Sequence, residues 1–344
     1  MTTEVQLHRD GRVGRIVLDR PRALNSLTHG MLTTVRAALD DWATDPSVGA
    51  VVLTGAGERG LCAGADIRAI HDDAKAGGAG ARAFFRDEYR LNALIARYPK
   101  PYVAVMDGIT MGGGVGLSAH GSVRIVTERS TVAMPETRIG LVPDVGGSLL
   151  LACAPGGLGT HLGLTAGAMD AGDALLCGFA DHFVPGRRLA AFTEALADTD
   201  PAEALREFAE PAPPAALAGH RGWIDPCYAA DTVEEIVERL LATGVPEAKE
   251  AAEQILSKSP TALKVTLAAL RRARGLATLE AVLDQEYRVS CAALDAPDLV
   301  EGIRAQVVDK DRDPHWSPAT LAEVSEAAVA RFFAPRGADE LGLA

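Results

Sequence analysis

The spacing of apolar residues changes once along this chain, near residue 185. Before it, alternating and continuous β-branched runs recur: "RVGRIVLDRP", "VGAVVLTGAG", "KPYVAVMDG" and "VRIVTE". These read as strands. Between them, "HGMLTTVRAALDDWATD" and "RAFFRDEYRLNALIARYPK" carry apolar residues three and four apart, the period of a helix with one buried face. Strands alternating with helices predict an α/β core with parallel strands. The spacing is uneven and the links are glycine-rich, which favours a stacked or open sheet over a regular barrel.

Beyond about residue 185 the strand signal stops. "PGRRLAAFTEALADTDPAEALREFAEPAPPAALAGH" is rich in Ala and Pro, and the remainder reads as helices: "TVEEIVERLLATG", "PEAKEAAEQILSKS", "TALKVTLAALRRARG" and "TLEAVLDQEYRVSCAALD". Thr232 and Glu235 are spaced as a capping box at the start of the first. The pattern predicts a second, mostly helical region from about residue 190, and no internal repeat is visible.

With 344 residues, 48% of them hydrophobic and 23% charged, the chain can bury a large core and is not a disordered protein. A net charge of −12 argues against a nucleic-acid partner, which demands a basic surface. It leaves room for an anionic small ligand held by a local Arg or Lys cluster. No apolar run approaches the roughly 20 residues of a membrane span, so no membrane partner is expected. The opening "MTTEVQLHRDGRVGRIVLDRP" is strand-like and charged rather than an export signal. The five cysteines (Cys62, Cys153, Cys177, Cys227, Cys291) are odd in number and scattered, without CxxC, so neither a metal site nor a disulfide framework is expected. A reducing cytoplasm is the expected location.

Two glycine-rich turns come after strands: "GLCAGADIRAI" after "AVVLTGAG", and "GITMGGGVGLSAHG" after "PYVAVMDG". In the second, Gly114, Gly116 and Ala119 fit G-x-G-x-x-A, with Glu128 after the next strand, which superficially suggests a dinucleotide site. Only about nine residues separate the glycines from "VRIVTE", too few for the helix of a normal βαβ crossover. His120 displaces the glycine that a G-x-S-x-G nucleophile elbow needs. Successive glycines do let backbone N–H groups approach a ligand, and two such turns after neighbouring strands can make an oxyanion hole. "AMPETRIGLVPDVGG" then sets Glu136 and Asp144 eight residues apart among apolar residues, prolines and glycines. Acids on that background are costly to bury without a partner.

In this order, "IVLDRPRALNSL", "GLCAGADIR", "GITMGGGVGLSAHG" and "MPETRIGLVPDVGG" resemble the crotonase (enoyl-CoA hydratase/isomerase) superfamily. Within it, "FFRDEY", "SPTALKVTL", "DQEYRVS" and "EGIRAQVVDKDRDPHW" are most similar to the 3-hydroxyisobutyryl-CoA hydrolase family, and together the motifs cover most of the chain. The resemblance implies an α/β fold with a crotonase-like ββα spiral core over residues 1–190 that binds acyl-CoA. The mostly helical region 191–344 would belong to the same family unit. It implies no cofactor, because coenzyme A is part of the substrate, and a homo-oligomer such as a trimer or hexamer.

Carried over by position, the resemblance implies that the amides of Ala65 and Gly113 hold the thioester oxygen. Glu136 would be nucleophile or general base, and Asp144 would bind the substrate hydroxyl or assist proton transfer. Glu88 would contact substrate, and Arg22 and Arg68 would meet the CoA phosphates. Lys264 and Arg304 lie in family-like motifs without an assigned role. Cys62 is read as a small apolar side chain filling space, and His120 as ending or packing a short helix. Hydratases of the superfamily place a second glutamate at the position of Gly116, which carries no carboxylate here. The expected activity is hydrolysis of a short 3-hydroxyacyl-CoA ester in valine catabolism. An enoyl-CoA hydratase or isomerase and a catalytically weak acyl-CoA-binding protein are the alternatives.

Overall fold

Strand formation in the first part of the chain tracks the β-branched runs. The computed structural model describes residues 4–344. In chain order the strands are β1 (Val5–Asp10), β2 (Val13–Leu18), β3 (Ala50–Gly55), β4 (Gly60–Cys62) and β5 (Tyr102–Met106). They continue with β6 (Ile109–Met111), β7 (Val123–Val126), β8 (Thr131–Ala133), β9 (Ala168–Met169) and β10 (His182–Phe183). β1 and β2 form an antiparallel hairpin, Val5 opposite Leu18, with Gly11 supplying the positive φ at its turn. Every later pairing in the large sheet is parallel, in the order β1-β2-β3-β5-β7-β10.

A second, smaller sheet runs β4-β6-β8-β9, with β6 parallel to both β4 and β8. The chain therefore repeats one gesture three times. A long strand (β3, β5, β7) enters the large sheet, a three-residue strand (β4, β6, β8) enters the small one, and a helix or helical turn comes next: Ile67–Lys75, Gly113–Ser118, then Glu136–Ile139. This is the ββα spiral. Alternate residues of the long strands, among them Val52, Val103, Val105 and Ile125, meet Phe192, Leu205 and Phe208 in a common core. Each such fully buried side chain contributes about 1.5–3 kcal/mol.

Past residue 185 the structure is helical as the spacing predicts. It includes Val233–Ala242, Pro246–Leu256, Pro260–Ala273 and Leu279–Leu294. The Thr232 side chain caps the first by accepting from Glu235 N–H at 3.1 Å, while the Glu235 carboxylate reaches Asp231 N–H rather than that of Thr232. Half of the expected capping box forms, and its return bond lands one residue early.

Contacts divide the chain into two compact units. One comprises the chain up to Ala65 with Arg90–Ala133 and Met169–Ala216; the other comprises Asp66–Tyr89, Met134–Ala168 and Leu217–Ala344. The boundary expected near residue 190 reflects composition, whereas this division reflects packing. Segments leaving the sheets at 66–89 and 134–168 are compact with the C-terminal helices, because those helices cover their apolar residues. Gly163, for instance, lies against Leu270 and Thr266 of helix Pro260–Ala273. Among the described residues, no helix is long and apolar enough to cross a membrane.

Packing inside the second unit is tight where helix Leu158–Thr165 meets helix Gly147–Cys153. A Cβ added at Gly159 would lie 1.7 Å from the Leu151 carbonyl oxygen. Gly159→Ala should therefore cost about 1–3 kcal/mol or more by forcing the helices apart. Denaturant midpoints would show this, and a midpoint equal to wild type would refute the close approach.

Candidate active site

The first part of the site is built by register. β4 and β6 pair Gly60 with Ile109 and Cys62 with Thr110, so both chains leave the small sheet side by side, about 4.8 Å apart. The turn beyond each strand must then fit against its neighbour. Gly112 adopts φ 49° and ψ −122°, a backbone that residues with a side chain avoid. A Cβ on Gly114 would lie 2.5 Å from the Cys62 carbonyl oxygen, and one on Gly64 would lie 3.5 Å from the Gly113 nitrogen. The glycines thus let the two turns touch through backbone.

The structure brings the turns of Ala65 and Gly113 together in the first unit. Gly113 opens helix Gly113–Ser118, so its amide is one that a helix cannot pair internally. Ala65 bridges Leu27 in parallel, with Leu27 N–H donating to Gly64 O at 2.8 Å. In that pattern the Ala65 N–H is turned away from Leu27. Cys62 is fully buried between these turns, in contact with Gly64, as a space-filling side chain would be. His120 is half-buried just beyond the helix.

The second unit, taken by itself, holds a cluster of acids. Glu88 comes from helix Ala79–Ala96, Glu136 from the turn Glu136–Ile139 and Asp144 from the loop before helix Gly147–Cys153. They are 1%, 6% and 6% exposed, and with them lies a fourth, Glu286 of helix Leu279–Leu294, at 2%. No cation among the described residues neutralises the group. Tyr89 Oη donates to Asp144 Oδ2 at 2.6 Å and lies 2.7 Å from Ser290 Oγ, so the serine hydroxyl supplies the phenol oxygen's own hydrogen bond. Glu286 accepts from Gly146 N–H, Ser148 N–H and Ser148 Oγ–H at 2.6, 3.0 and 2.5 Å. By contrast, Glu88 Oε1 and Glu136 Oε2 are buried with no hydrogen-bond partner among the described residues.

Burial sets the protonation of this cluster. Removing the carboxylates from water raises Glu88 and Glu136 well above the usual range, with the Asp144 charge raising both further. Burial also pushes Asp144 up to about 6, with the Tyr89 hydrogen bond opposing the rise. Glu286 is pushed up to about 8 by burial, against its hydrogen bonds from Ser148 and Gly146. Asp144 and Glu286, held near neutrality, can exchange protons at working pH, which suits general acid–base chemistry.

Tyr89, Glu286 and Ser290 escape a reading by residue, although all three lie inside "FFRDEY" and "DQEYRVS". Their signal is position on a helix: Glu286 and Ser290 stand four apart and share one face. Of the basic candidates, Arg22 is exposed in the turn Pro21–Ala23, and Arg68 is exposed with its guanidinium donating to Val307 O at 2.6 Å. Lys264 is paired with Glu234, and Arg304 with Glu301, Asp309 and Asp311. Among the described residues, no group of His, Cys, Asp and Glu is arranged to hold a metal ion.

This fold and this pair of features define a family. Residues 13–333 match the enoyl-CoA hydratase/isomerase family. The 3-hydroxyisobutyryl-CoA hydrolase, mitochondrial, of Danio rerio is 42% identical over 342 residues, covering 96% of this chain and 89% of that protein. The Homo sapiens protein of that name is 41% identical over 349 residues, covering 98% and 90%. Among solved structures, a carnitinyl-CoA dehydratase from Mycobacterium thermoresistibile matches with a TM-score of 0.97 at 54% identity, over 99% of both chains. An enoyl-CoA hydratase from Rhodobacter sphaeroides 2.4.1 matches with 0.94 at 44% identity, over 98% of this chain and 99% of that one. The chain belongs to the enoyl-CoA hydratase/isomerase family, the crotonase superfamily.

The raised Glu136 carries a sign that can be measured. Above its ordinary value of 4.5, the folded state holds a proton that the unfolded state releases, so this group lowers stability progressively as pH rises from there. Glu136→Gln removes that penalty. Its thermal midpoint should exceed wild type at about pH 8 by more than at about pH 5. A pH-independent difference would show that Glu136 ionises normally.

Proposed function

We propose that this protein hydrolyses a short 3-hydroxyacyl-CoA thioester, 3-hydroxyisobutyryl-CoA foremost, to the free hydroxy acid and CoA. The observation that carries the reading is the buried cluster of Glu88, Glu136 and Asp144, in which Glu88 Oε1 and Glu136 Oε2 have no partner among the described residues and so await one from a ligand. The curated relatives are named as hydrolases acting on that ester over nearly the whole chain. The solved relatives are titled dehydratase and hydratase. Gly116 decides between them in this reading. Hydration uses a second carboxylate at that position, and none is there.

In the reaction, the amides of Ala65 and Gly113 take the thioester oxygen and stabilise the charge that develops on it. Donors so aimed are worth about 2.7–4 kcal/mol each. Glu136, once it has given up the proton that burial favours, either removes the proton of an attacking water or attacks the carbonyl itself to give an anhydride that water opens. In both routes the C–S bond breaks: in the first, the proton that Glu136 took from water passes to the CoA sulfur, and in the second the thiolate leaves and takes its proton from the water that opens the anhydride. Asp144, oriented by Tyr89, accepts the hydrogen bond of the substrate 3-hydroxyl, and Glu88 contacts the same acyl group. Arg22 and Arg68 meet the CoA phosphates. No cofactor is required, CoA entering as substrate. The remaining parts of the reading are assembly as trimers or hexamers, a cytoplasmic location suited to five free thiols, and a place in valine breakdown.

A thiol-release assay over a panel of CoA esters, beside crotonyl-CoA hydration, tests the reaction. Hydrolysis of 3-hydroxyisobutyryl-CoA should dominate; faster hydration of crotonyl-CoA would overturn the choice within the family.

Hydroxyl recognition gives a second test. A site built to bond a hydroxyl rejects the analogue lacking it by as much as about 10⁴–10⁵. Isobutyryl-CoA should be cleaved far more slowly than its 3-hydroxy counterpart, and Asp144→Ala should shrink that preference. Equal slowing of both esters would assign Asp144 to the chemical step or to folding instead.

A further inference from the structure

The turn that carries Asp144 is built against backbone preference. Asp144 O accepts from Gly147 N–H at 2.6 Å, closing a four-residue turn whose central residues, Val145 and Gly146, have φ of 53° and 80°. Two positive φ values in succession mark a type I′ turn, a place dominated by Gly, Asn and Asp. Valine is β-branched, and a left-handed backbone there costs on the order of 1–3 kcal/mol unless its surroundings impose it. A strained turn beside a working carboxylate needs a brace.

Glu286 is placed as that brace. Its carboxylate takes three donors, all from residues immediately after Val145: the Gly146 and Ser148 amides and the Ser148 hydroxyl. These bonds tie the end of the turn and the start of helix Gly147–Cys153 to helix Leu279–Leu294. One helical turn further along the same face, Ser290 bonds Tyr89, which in turn bonds Asp144. A single helix face therefore holds Asp144 from two directions, by its backbone turn and by its side-chain oxygen. The titratable groups around Glu286 are Asp144, Glu136 and Tyr89, and none is a cation that would explain a buried acid there.

We infer that Glu286 is a positioning residue that fixes the strained Asp144 turn, and so sets where that carboxylate meets the substrate hydroxyl. The inference rests on the reading of Asp144 as the hydroxyl-binding group. Glu286→Gln turns one of the two acceptor oxygens into a donor, so either the Gly146 N–H or the Ser148 pair loses its partner, and Val145 can relax toward negative φ, moving Asp144 with it.

The test compares wild type, Glu286→Gln, Asp144→Ala and the double variant, reading the ratio of kcat/KM for 3-hydroxyisobutyryl-CoA over isobutyryl-CoA. Glu286→Gln should lower that ratio about 10- to 100-fold, the scale of a misplaced contact. In the Asp144→Ala background the same change should leave the ratio where Asp144→Ala alone puts it, since the two act through one contact. A folded Glu286→Gln protein with an unchanged ratio, or effects that multiply in the double variant, would overturn the inference. If Asp144→Ala leaves the ratio unmoved, the hydroxyl reading fails and this inference falls with it; an Asp144 effect without a Glu286 effect sinks the inference alone. Should Glu286→Gln fail to fold, Ser148→Ala removes one of the three bonds and should shift the ratio in the same direction by less. A role confined to stability would lower the thermal midpoint and leave the ratio untouched in both.

Discussion

Four carboxylates buried in one helical unit, with no cation among them, constrain everything around them. Ionised acids withdrawn from water repel one another and lose their hydration, so each must find donors or keep its proton. The fold answers differently at each. Glu286 receives three donors, Asp144 receives the Tyr89 hydroxyl, and Glu88 and Glu136 each keep an oxygen with none. The donors come from two separate stretches, 146–148 and Tyr89, and helix Leu279–Leu294, far along the chain, is packed in one unit with both. Stability is given up here for chemistry, since well-packed apolar residues would fill the same space at lower cost.

The small parallel sheet solves the complementary problem of presenting amides. Its strands β4, β6 and β8 are three residues long, and the candidate groups come just past their ends: Ala65 three residues after β4, Gly113 two after β6, Glu136 three after β8. Equivalent positions on successive turns of one spiral thus carry amide, amide and acid. The amides need glycine neighbours, because any Cβ at Gly114 would strike Cys62. A side chain could not replace them, and substitution could only displace them.

This arrangement lets one scaffold serve several reactions. The Ala65 and Gly113 amides are backbone and stay with the fold, whereas the acids are side chains that its backbone path does not specify. Gly116 lies buried inside helix Gly113–Ser118 and carries no side chain, while Asp144 sits on a turn tied to helix Leu279–Leu294. Relatives of closely similar shape bear hydrolase, hydratase and dehydratase names, so the fold alone does not separate them.

The period of apolar residues in the chain already determined the long strands β1, β2, β3, β5 and β7 and the change to helix past residue 185, whereas the short strands of the second sheet and β10 carry too few residues to show a period. Glu136 and Asp144 stood out because isolated acids in an apolar stretch are anomalous in a local window. The spiral's repetition left no trace in the residue pattern, since its turns share a backbone path but not side-chain types. Glu286 and Tyr89 were hidden as well, because a glutamate and a tyrosine on amphipathic helices look like ordinary surface and core. Only the tertiary structure decided that they face Asp144. A local pattern records how one segment meets water, whereas a buried charge is governed by donors and charges that distant segments bring to it. Val145 shows the same limit: its own β-branched side chain favours an ordinary backbone, and its left-handed turn is tied down by Glu286, 141 residues away in the chain.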